Sequence, residues 1–338
     1  AVTLASFPAT SSAKEVNYGT KESLRLAIQD LMDTHGSRYA NGPKYLKQLA
    51  QINSEEALTE LRKMALMANP SLDFEKLLIV ERTGGKKWLP ANWQCNSSMP
   101  KSGHKNQIAT LSLKDGSVET LYQPANQAFV GDLELHYDAG KIMYSSIGKN
   151  GAWAVFEMDL GNKKSKQITP EIADIDCMDA CYLPDDRIVF TSTAGFQGVP
   201  CVGGRDSVAN LHLLDPKTNK IRRLCFDQEN NWCPTVLPNG KLLFLRWEYT
   251  DSAHYFSRVL MHMNPDGTNQ KEFYGSNSYW PNSMFYARPV PGSSNKFIAI
   301  ISGHHGVARA GELILFDNNK GRHEASGVVQ RIPGAGKE

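Results

Sequence analysis

YLPDDRIVF, at residues 182–190, and VLPNGKLLF, at residues 236–244, share one order of apolar and turn-forming residues. Each stretch ends one apolar run, turns at a proline followed by aspartate or asparagine, and opens a second apolar run. Looser copies surround Ile142 and Ile298, so the equivalent apolar position recurs at steps of 46, 54 and 56 residues. The recurrence predicts a repeated β-hairpin.

A second repeat follows each copy of the first. These apolar runs end in aspartate or asparagine: VFEMD (155–159), LHLLD (211–215), LMHMN (260–264) and ILFD (314–317). Tight turns such as Asp115-Gly116 and Asp266-Gly267 separate such runs from a further strand. Four strands in every 40–50 residues are typical of a β-propeller blade.

The repeats predict an all-β propeller, preceded by a small α-helical segment. Five blades are readable, at about 72–123, 129–169, 176–226, 231–274 and 279–332. Either the five close a ring, or a sixth blade follows in the uncut protein, of which this chain is then a fragment. The predicted domains are a leader with helices at 1–70 and the propeller at 71–338.

Residues from about 20 to 68 have helical periodicity. Thr20 is the predicted cap of a first helix that stops at Gly36, and Pro43 opens a second. Asn53, with Glu56 three residues later, resembles the capping box of a third helix. The apolar stripes of these helices predict packing into a small core.

Composition restricts the class of partner. The 338 residues include 37 basic and 35 acidic side chains, a net charge of +2 that gives no electrostatic reason to expect nucleic acid. No apolar run is long enough to span a membrane. The chain begins at Ala1 without an initiator methionine, so it is either processed or cut from a longer chain. A removed export signal is one explanation, and it predicts a periplasmic or extracellular location.

Polar residues concentrate in one set of loops. In a four-stranded blade, the loops between strands two and three and between blades lie on the same face, here called the polar face. Its predicted members are Asn92, Trp93, Asn96, Asp132, Asp174, Asp176, Asp179, residues 193–206, Asn230, Asn231, Trp232, residues 246–254, Asn277, Tyr279, Trp280, Asn282 and residues 304–309. Loops carried on a rigid scaffold are where binding and catalysis usually occur.

Asp179, Arg246, His304 and His305 are the candidate functional residues of this face. The two histidines are equally consistent with metal ligation or proton transfer and with structural hydrogen bonds. Cys201 has three interpretations: a thiolate metal ligand, a disulfide partner or a buried thiol. By contrast, the position of His212 within a strand predicts a hydrogen-bonded core residue.

The remaining cysteines and the known catalytic motifs are less informative. Cys177, Cys181, Cys225 and Cys233 flank the crossings between blades, a placement that favours packing or a bridge over a zinc cluster. The chain has no CxxCH haem-attachment motif. Glycine-rich phosphate loops, GxSxG and HExxH are also missing from the sequence.

A set of motifs on the polar face carries a family resemblance. They are NWQCNSS (92–98), FTSTA (190–194), GVPCVGG (198–204), NNWCPTV (230–236), LRWEYTD (245–251), YWPNS (279–283) and SGHHG (302–306). Together they resemble bacterial exported proteins related to the hydrazine synthase alpha subunit. The blades alone are similar to TolB-type propeller repeats.

This resemblance implies a six-bladed propeller in an exported multidomain protein, with c-type haem in a C-terminal domain that this chain lacks. It also implies that Cys201 helps to bind zinc beside that haem. His304 is a second candidate metal ligand because of its position at a strand exit, not because of the resemblance. The chain alone is not expected to be catalytic. Its polar face would instead help to form a redox site with its own C-terminal domain or another exported protein.

A second hypothesis is a TolB-like scaffold propeller without catalysis, which docks a protein or a glycan. Trp232, Tyr249, Tyr279 and Trp280 would be its aromatic anchors. The two hypotheses differ in whether Cys201 and His304 matter to function.

Overall fold

The computed structural model describes residues 19–83, 89–247, 258–276, 278–303 and 307–332, without the side chain of Cys201. His304, His305, Tyr249 and Asn277 therefore lie outside the described residues. The chain divides into two compact units, one of residues 1–77 with 111–118 and one of residues 78–110 with 119–338. The predicted domain limits at residues 70 and 71 stay a prediction.

Three helices form the core of the first unit. They are α1 (Lys21–His35), α2 (Gly42–Gln51) and α3 (Glu55–Met67). As predicted, the Thr20 side chain accepts a hydrogen bond from the Ser23 amide at 3.0 Å, and Gly36, with φ of 54°, ends α1. Their buried side chains are Leu24, Ile28, Leu31, Tyr39, Leu49, Leu58, Leu61 and Ala65.

The predicted start of α3 was wrong by one residue. Its cap is Ser54, not Asn53, because Ser54 has extended backbone angles and its Oγ accepts from the Ala57 amide at 3.2 Å. Leu66, expected to face inward, is exposed. The buried side chains of α3 lie at 58, 61 and 65, a narrower stripe than the sequence predicted.

Nineteen strands in the described residues build the sheets. The first sheet contains β1 (Lys76–Arg82), β2 (Asn106–Ser112) and β3 (Val118–Tyr122). The second contains β4 (Gly131–Leu135), β5 (Lys141–Ile147), β6 (Trp153–Asp159) and β7 (Ser165–Gln167). The third contains β8 (Cys177–Tyr182), β9 (Ile188–Ser192), β10 (Asn210–Asp215) and β11 (Lys220–Arg223).

The fourth sheet contains β12 (Asn231–Val236), β13 (Leu242–Trp247), β14 (Arg258–Met263) and β15 (Lys271–Tyr274). The fifth contains β16 (Ser283–Pro289), β17 (Lys296–Ser302), β18 (Glu312–Asp317) and β19 (Val328–Ile332). A single parallel pairing of Arg258 with Ser283 links these two sheets. The four apolar runs quoted from the sequence, at 155–159, 211–215, 260–264 and 314–317, correspond to β6, β10, β14 and β18, with ends within two residues of those expected.

The first sheet differs from the predicted pattern. Its β2 and β3 are joined through the Asp115-Gly116 turn, like the third and fourth strands of the later sheets. Consequently β1 takes the place of a second strand, and the described residues add no inner strand beside it. The loop between β1 and β2 contacts the segment between β17 and β18, because Ala91 pairs with Ala308 and the Asn92 amide donates to the Val307 carbonyl at 2.9 Å.

The loops assigned to the polar face lie at one end of the sheets. The Thr193 amide donates to the Asp176 carbonyl, and the Trp247 amide to the Asn230 carbonyl, each at 3.0 Å. Each bond joins the end of a second strand to the segment that enters an inner strand.

The structure is a β-propeller with a short helical segment, as the sequence predicted. In the described part of the chain, no helix has the length and apolar character needed to cross a membrane.

Candidate functional site

The inner strands β4, β8, β12 and β16 share an irregularity. In each, the pairing with the second strand shifts by a β-bulge. A non-glycine residue at each bulge has left-handed backbone angles, namely Asp132, Asp179, Cys233 and Tyr286, with φ of 49°, 52°, 53° and 52°. Such a conformation costs on the order of 1–3 kcal/mol and is often found at functional sites.

Three of the four bulge residues, Asp132, Asp179 and Tyr286, border a cavity of about 210 Å³, here called the axial cavity. Its charged and polar lining consists of Arg82, Asn96, Asp132, Glu134, Asp179, Tyr286 and Arg288. All these residues belong to the second unit. Asn96 lies in the loop between β1 and β2, and the others lie on β1, β4, β8 and β16. A small cavity with a few convergent polar groups is the usual form of a small-ligand site.

Asp179 is the most perturbed acid of this cavity. Burial raises its pKa to about 7, and the negative charge of Asp132 adds to the effect. The Cys233 amide donates to Asp179 Oδ2 at 2.6 Å and opposes the rise, as do Arg309 and Arg288. The carboxyl of Asp179 therefore gains and loses a proton near neutral pH, a property suited to acid–base chemistry.

Asp132 is held by a different contact. The Asn96 side-chain amide donates to Asp132 Oδ2 at 2.6 Å. Because Asn96 belongs to the loop between β1 and β2, this bond ties the first sheet's loop to the inner strand β4. The carboxylate is thereby oriented before any ligand enters, which lowers the entropic cost of binding.

Two arginines balance the acids. Arg309 is buried with its guanidinium 4.6 Å from the ring centre of Trp232 and 4.8 Å from that of Phe285, and it donates to the Gln94 carbonyl. Burial lowers the pKa of Arg309, but the acidic groups around it outweigh that effect and the net change is upward. Arg288 pairs with Glu134 at 2.9 Å. Arg309 therefore remains a fixed positive charge behind the cavity.

Arg246 is at the polar end but not in the axial cavity. It forms an ion pair with Asp227 at 3.0 Å, and the Asn231 side chain donates to the same aspartate at 3.0 Å. The structure therefore places the two candidates Asp179 and Arg246 in separate hydrogen-bonded groups. Arg246 orders the crossing from sheet three to sheet four.

The loop that carries Cys201 is compact. A 3₁₀ turn spans Pro200–Val202, and the Val199 amide donates to the Asp206 carbonyl at 2.8 Å. A Cβ atom on Gly198 would lie 2.6 Å from the Gly204 Cα, so only glycine allows this close approach. Whether Cys201 or His304 binds a metal stays a prediction, because the Cys201 side chain and all of His304 lie outside the described residues.

The other cysteines are buried thiols. Cys95, Cys177, Cys181, Cys225 and Cys233 are all free, so the bridge considered for the four that flank the crossings does not form. Burial raises the pKa of Cys177 to about 11 and that of Cys225 to about 12, which keeps both thiols protonated and unreactive. Within the described ranges, no three His, Cys, Asp or Glu side chains are arranged to hold a metal ion.

His212 and Trp232 are both buried in the core. His212 is a buried core residue whose Nδ1 lies 3.0 Å from the Asn210 carbonyl oxygen, as predicted. Trp232, expected as a docking anchor, is only 1% exposed and stacks against Trp247. That expectation was wrong because the inner strand β12 turns the indole into the core.

Sequence reasoning missed the residues that complete the axial cavity. Tyr286 and Arg288 were not singled out, and Cys233 was treated only as packing or a bridge. One signal was present: the bulge residues at 132, 179, 233 and 286 recur with steps of 47, 54 and 53, close to those of the second strands. Their different side chains concealed the repeat.

These features define a β-propeller with a charged axial cavity. No protein-family model and no curated protein matches the sequence. Among solved structures, the fold is similar to hydrazine synthase from Kuenenia stuttgartiensis, with a TM-score of 0.59 and 15% identity over 76% of this chain and 39% of that chain. It is also similar to a putative TolB from Agrobacterium tumefaciens, with a TM-score of 0.50 and 15% identity over 73% of this chain and 81% of that chain.

At this identity the similarities establish a TolB-like β-propeller fold and nothing finer. The chain spans about two fifths of the length of the hydrazine synthase chain it matches. Its activity and partners must therefore be argued from the site.

Proposed function

We propose that this chain is the propeller region of an exported multidomain protein similar to the hydrazine synthase alpha subunit. In this proposal the polar face helps to form a redox site with a C-terminal domain or with another exported protein. The observation that supports it best is the axial cavity, which three residues with left-handed backbone angles, Asp132, Asp179 and Tyr286, line from three different inner strands. A periplasmic or extracellular location belongs to the same proposal.

The axial cavity is the part of that site contributed by this chain. Asp132 and Asp179 accept hydrogen bonds, while Arg309 and Arg288 keep the local charge balanced. A cavity of about 210 Å³ admits a small polar molecule or a polar group presented by another domain. Asp179 supplies or removes a proton there, since its pKa of about 7 leaves both forms populated near neutrality.

Haem and zinc enter this proposal from different parts of the protein. The sequence has no CxxCH motif, so c-type haem would be supplied from outside these residues. Cys201 and His304 are the proposed zinc ligands; a thiolate and an imidazole are ligands that zinc prefers. The described residues add no further set of ligands to them.

Spectroscopy and metal analysis of the full-length protein test the redox proposal. We expect c-type haem bands and bound zinc, with zinc lost in Cys201→Ala and kept in Cys181→Ala, a buried thiol within a hydrophobic cluster. The haem midpoint potential should change with pH near 7 and lose that change in Asp179→Asn, because ionisation of this carboxyl changes the charge of the axial cavity. The exposed Asp174→Asn is the matched control. A full-length protein without haem and zinc would refute this function.

The scaffold hypothesis has its own support in exposed aromatic side chains. Phe196, Phe226 and Tyr279 are 71%, 75% and 61% exposed in loops of the polar face. Arg223 connects the two loops that carry Phe226 and Phe196. Its guanidinium lies 5.0 Å from the Phe226 ring centre and donates to Oε1 of Gln197, the residue after Phe196, at 2.9 Å. Exposed aromatic groups beside an arginine are typical anchors of protein interfaces.

If docking is the function, replacing these anchors removes it. We expect the double variant Phe226→Ser, Tyr279→Ser to lose at least tenfold in affinity for a partner that co-purifies with the wild type, measured by titration calorimetry. Cys201→Ala should bind normally, as should Phe74→Ser, which changes an exposed phenylalanine of the helical unit. Normal binding by the double variant would contradict docking through this face.

A further inference from the structure

Helix α3 carries two different faces. One face buries Leu58, Leu61 and Ala65 against the other helices. A second stripe, at Glu60, Lys63, Met64 and Met67, follows the same helical spacing but is exposed. Two of these four exposed residues, Met64 and Met67, are large and apolar, and their exposure on a helix that already has a buried stripe indicates a further contact surface.

The second stripe borders a groove of about 660 Å³, here called the α3 groove. Leu72, Phe74 and Leu113 complete its apolar lining, and all the lining residues belong to the first unit. Met64, Met67 and Phe74 are 49%, 39% and 41% exposed. Contiguous exposed apolar groups of this kind mark interaction sites. Methionine suits such a site because its flexible side chain adapts to the opposing surface.

The charges around the groove indicate what covers it. Its rim carries two acids, Glu60 and Glu75, and three bases, Lys63, Lys76 and Lys114. Acidic and basic residues alternate, with Glu60 and Lys63 one turn apart on α3 and Glu75 next to Lys76. A strongly acidic or strongly basic ligand would therefore meet like charges on part of the rim.

A surface that carries both signs side by side is complementary to itself. In a two-fold interface the same patch contributes from both copies, so that an acid of one copy meets a base of the other. We propose that the α3 groove is the contact surface of a homodimer in which a second copy of this chain covers Met64, Met67 and Phe74.

The size of the groove sets the expected strength of the dimer. Eleven residues line it, about half of the 20–30 residues per side found in standard stable interfaces. The dimer is therefore a reversible one, with a dissociation constant in the micromolar range. This inference does not depend on the axial cavity or on the proposed redox role.

Sedimentation velocity over a micromolar concentration series tests the dimer. We expect the wild-type chain to shift from monomer to dimer as concentration rises, and Met64→Glu and Phe74→Glu to remain monomeric. Leu26→Glu is the matched control, because Leu26 is 54% exposed on α1 and outside the groove. It should dimerise like the wild type. Circular dichroism establishes that each variant is folded, which is expected since all three positions are exposed.

A charge exchange supplies a second, independent measurement. Lys63→Glu and Glu60→Lys should each weaken self-association, while an equimolar mixture of the two should form a heterodimer. A wild-type chain that stays monomeric throughout the series overturns the proposal. Dimerisation of Met64→Glu with wild-type affinity, or a mixture that associates no better than its components, also overturns it.

Discussion

Asp179→Asn should make the protein more stable than the wild type at pH 8, by roughly 2–4 kcal/mol in the free energy of unfolding. The wild-type carboxyl has a pKa of about 7 in the folded protein and near 3.8 when unfolded, a displacement that is worth at most about 4 kcal/mol. The Asp179 side chain is only partly buried, and contact with solvent in the axial cavity lowers this limit. Asparagine retains the oxygen that accepts from Cys233 but carries no charge.

The sign of the pH dependence follows from where the proton binds. Between about pH 4 and pH 7 the folded protein holds the Asp179 proton more tightly than the unfolded chain does. This group's contribution to stability therefore falls as pH rises through that range and is constant above it. The difference between variant and wild type should be small near pH 4 and largest above pH 7.

Urea unfolding at several pH values measures this effect. Asp174→Asn, an exposed aspartate on the same face, should leave stability unchanged at every pH. Some pH dependence will remain in Asp179→Asn, because burial also raises the pKa of Glu229 to about 7, opposed by Arg258. A variant that is less stable than the wild type at pH 8 would show that the ionised carboxylate is favourably paired.

Arg309→Met should destabilise the protein by about 3–5 kcal/mol at pH 8, the usual cost of removing one partner from a buried group of charges. The guanidinium lies over two core rings and interacts electrostatically with the bulge residues Asp179, Cys233 and Tyr286. Methionine fills a similar volume, so the loss is chiefly electrostatic.

A double-mutant cycle separates charge from packing. In the Asp179→Asn background, Arg309→Met should cost about 1–3 kcal/mol less, since one of the acids it balances has gone. Arg331→Met is the matched control: this arginine also stacks on an indole, 4.7 Å from the Trp280 ring centre, but it is 39% exposed. Its loss should cost no more than about 1 kcal/mol. Equal costs of Arg309→Met in both backgrounds would exclude coupling to Asp179.

Both predictions concern one property of the axial cavity. A carboxyl with a pKa near neutrality is retained at a cost to stability, and Arg309 limits that cost. Such an arrangement is typical of sites where function competes with stability. The redox proposal and the scaffold proposal differ in whether this cost serves proton transfer or only the binding of a polar group.

Periodic features were predictable from the sequence by itself. The alternation of apolar residues and turns, repeated at steps of 46, 54 and 56, specified the strands and hence the propeller, because strand geometry depends on neighbours close in the chain. Thr20 and Gly36 likewise limit α1 through contacts within a few residues. The long loops predicted which end of the sheets would be polar.

Only the tertiary structure decided which of those polar residues meet. Asp179 on β8 and the Cys233 amide on β12 are 54 residues apart and yet 2.6 Å from each other, whereas Arg246 is committed to Asp227. The first sheet has three strands rather than four in the part of the chain that the structure describes, and this difference and the inward turn of Trp232 also escaped prediction. Local propensity governs elements, but a site forms where separate strands converge. The convergence depends on bulges whose residues, an acid pair, a cysteine and a tyrosine, share a backbone conformation and no common side chain.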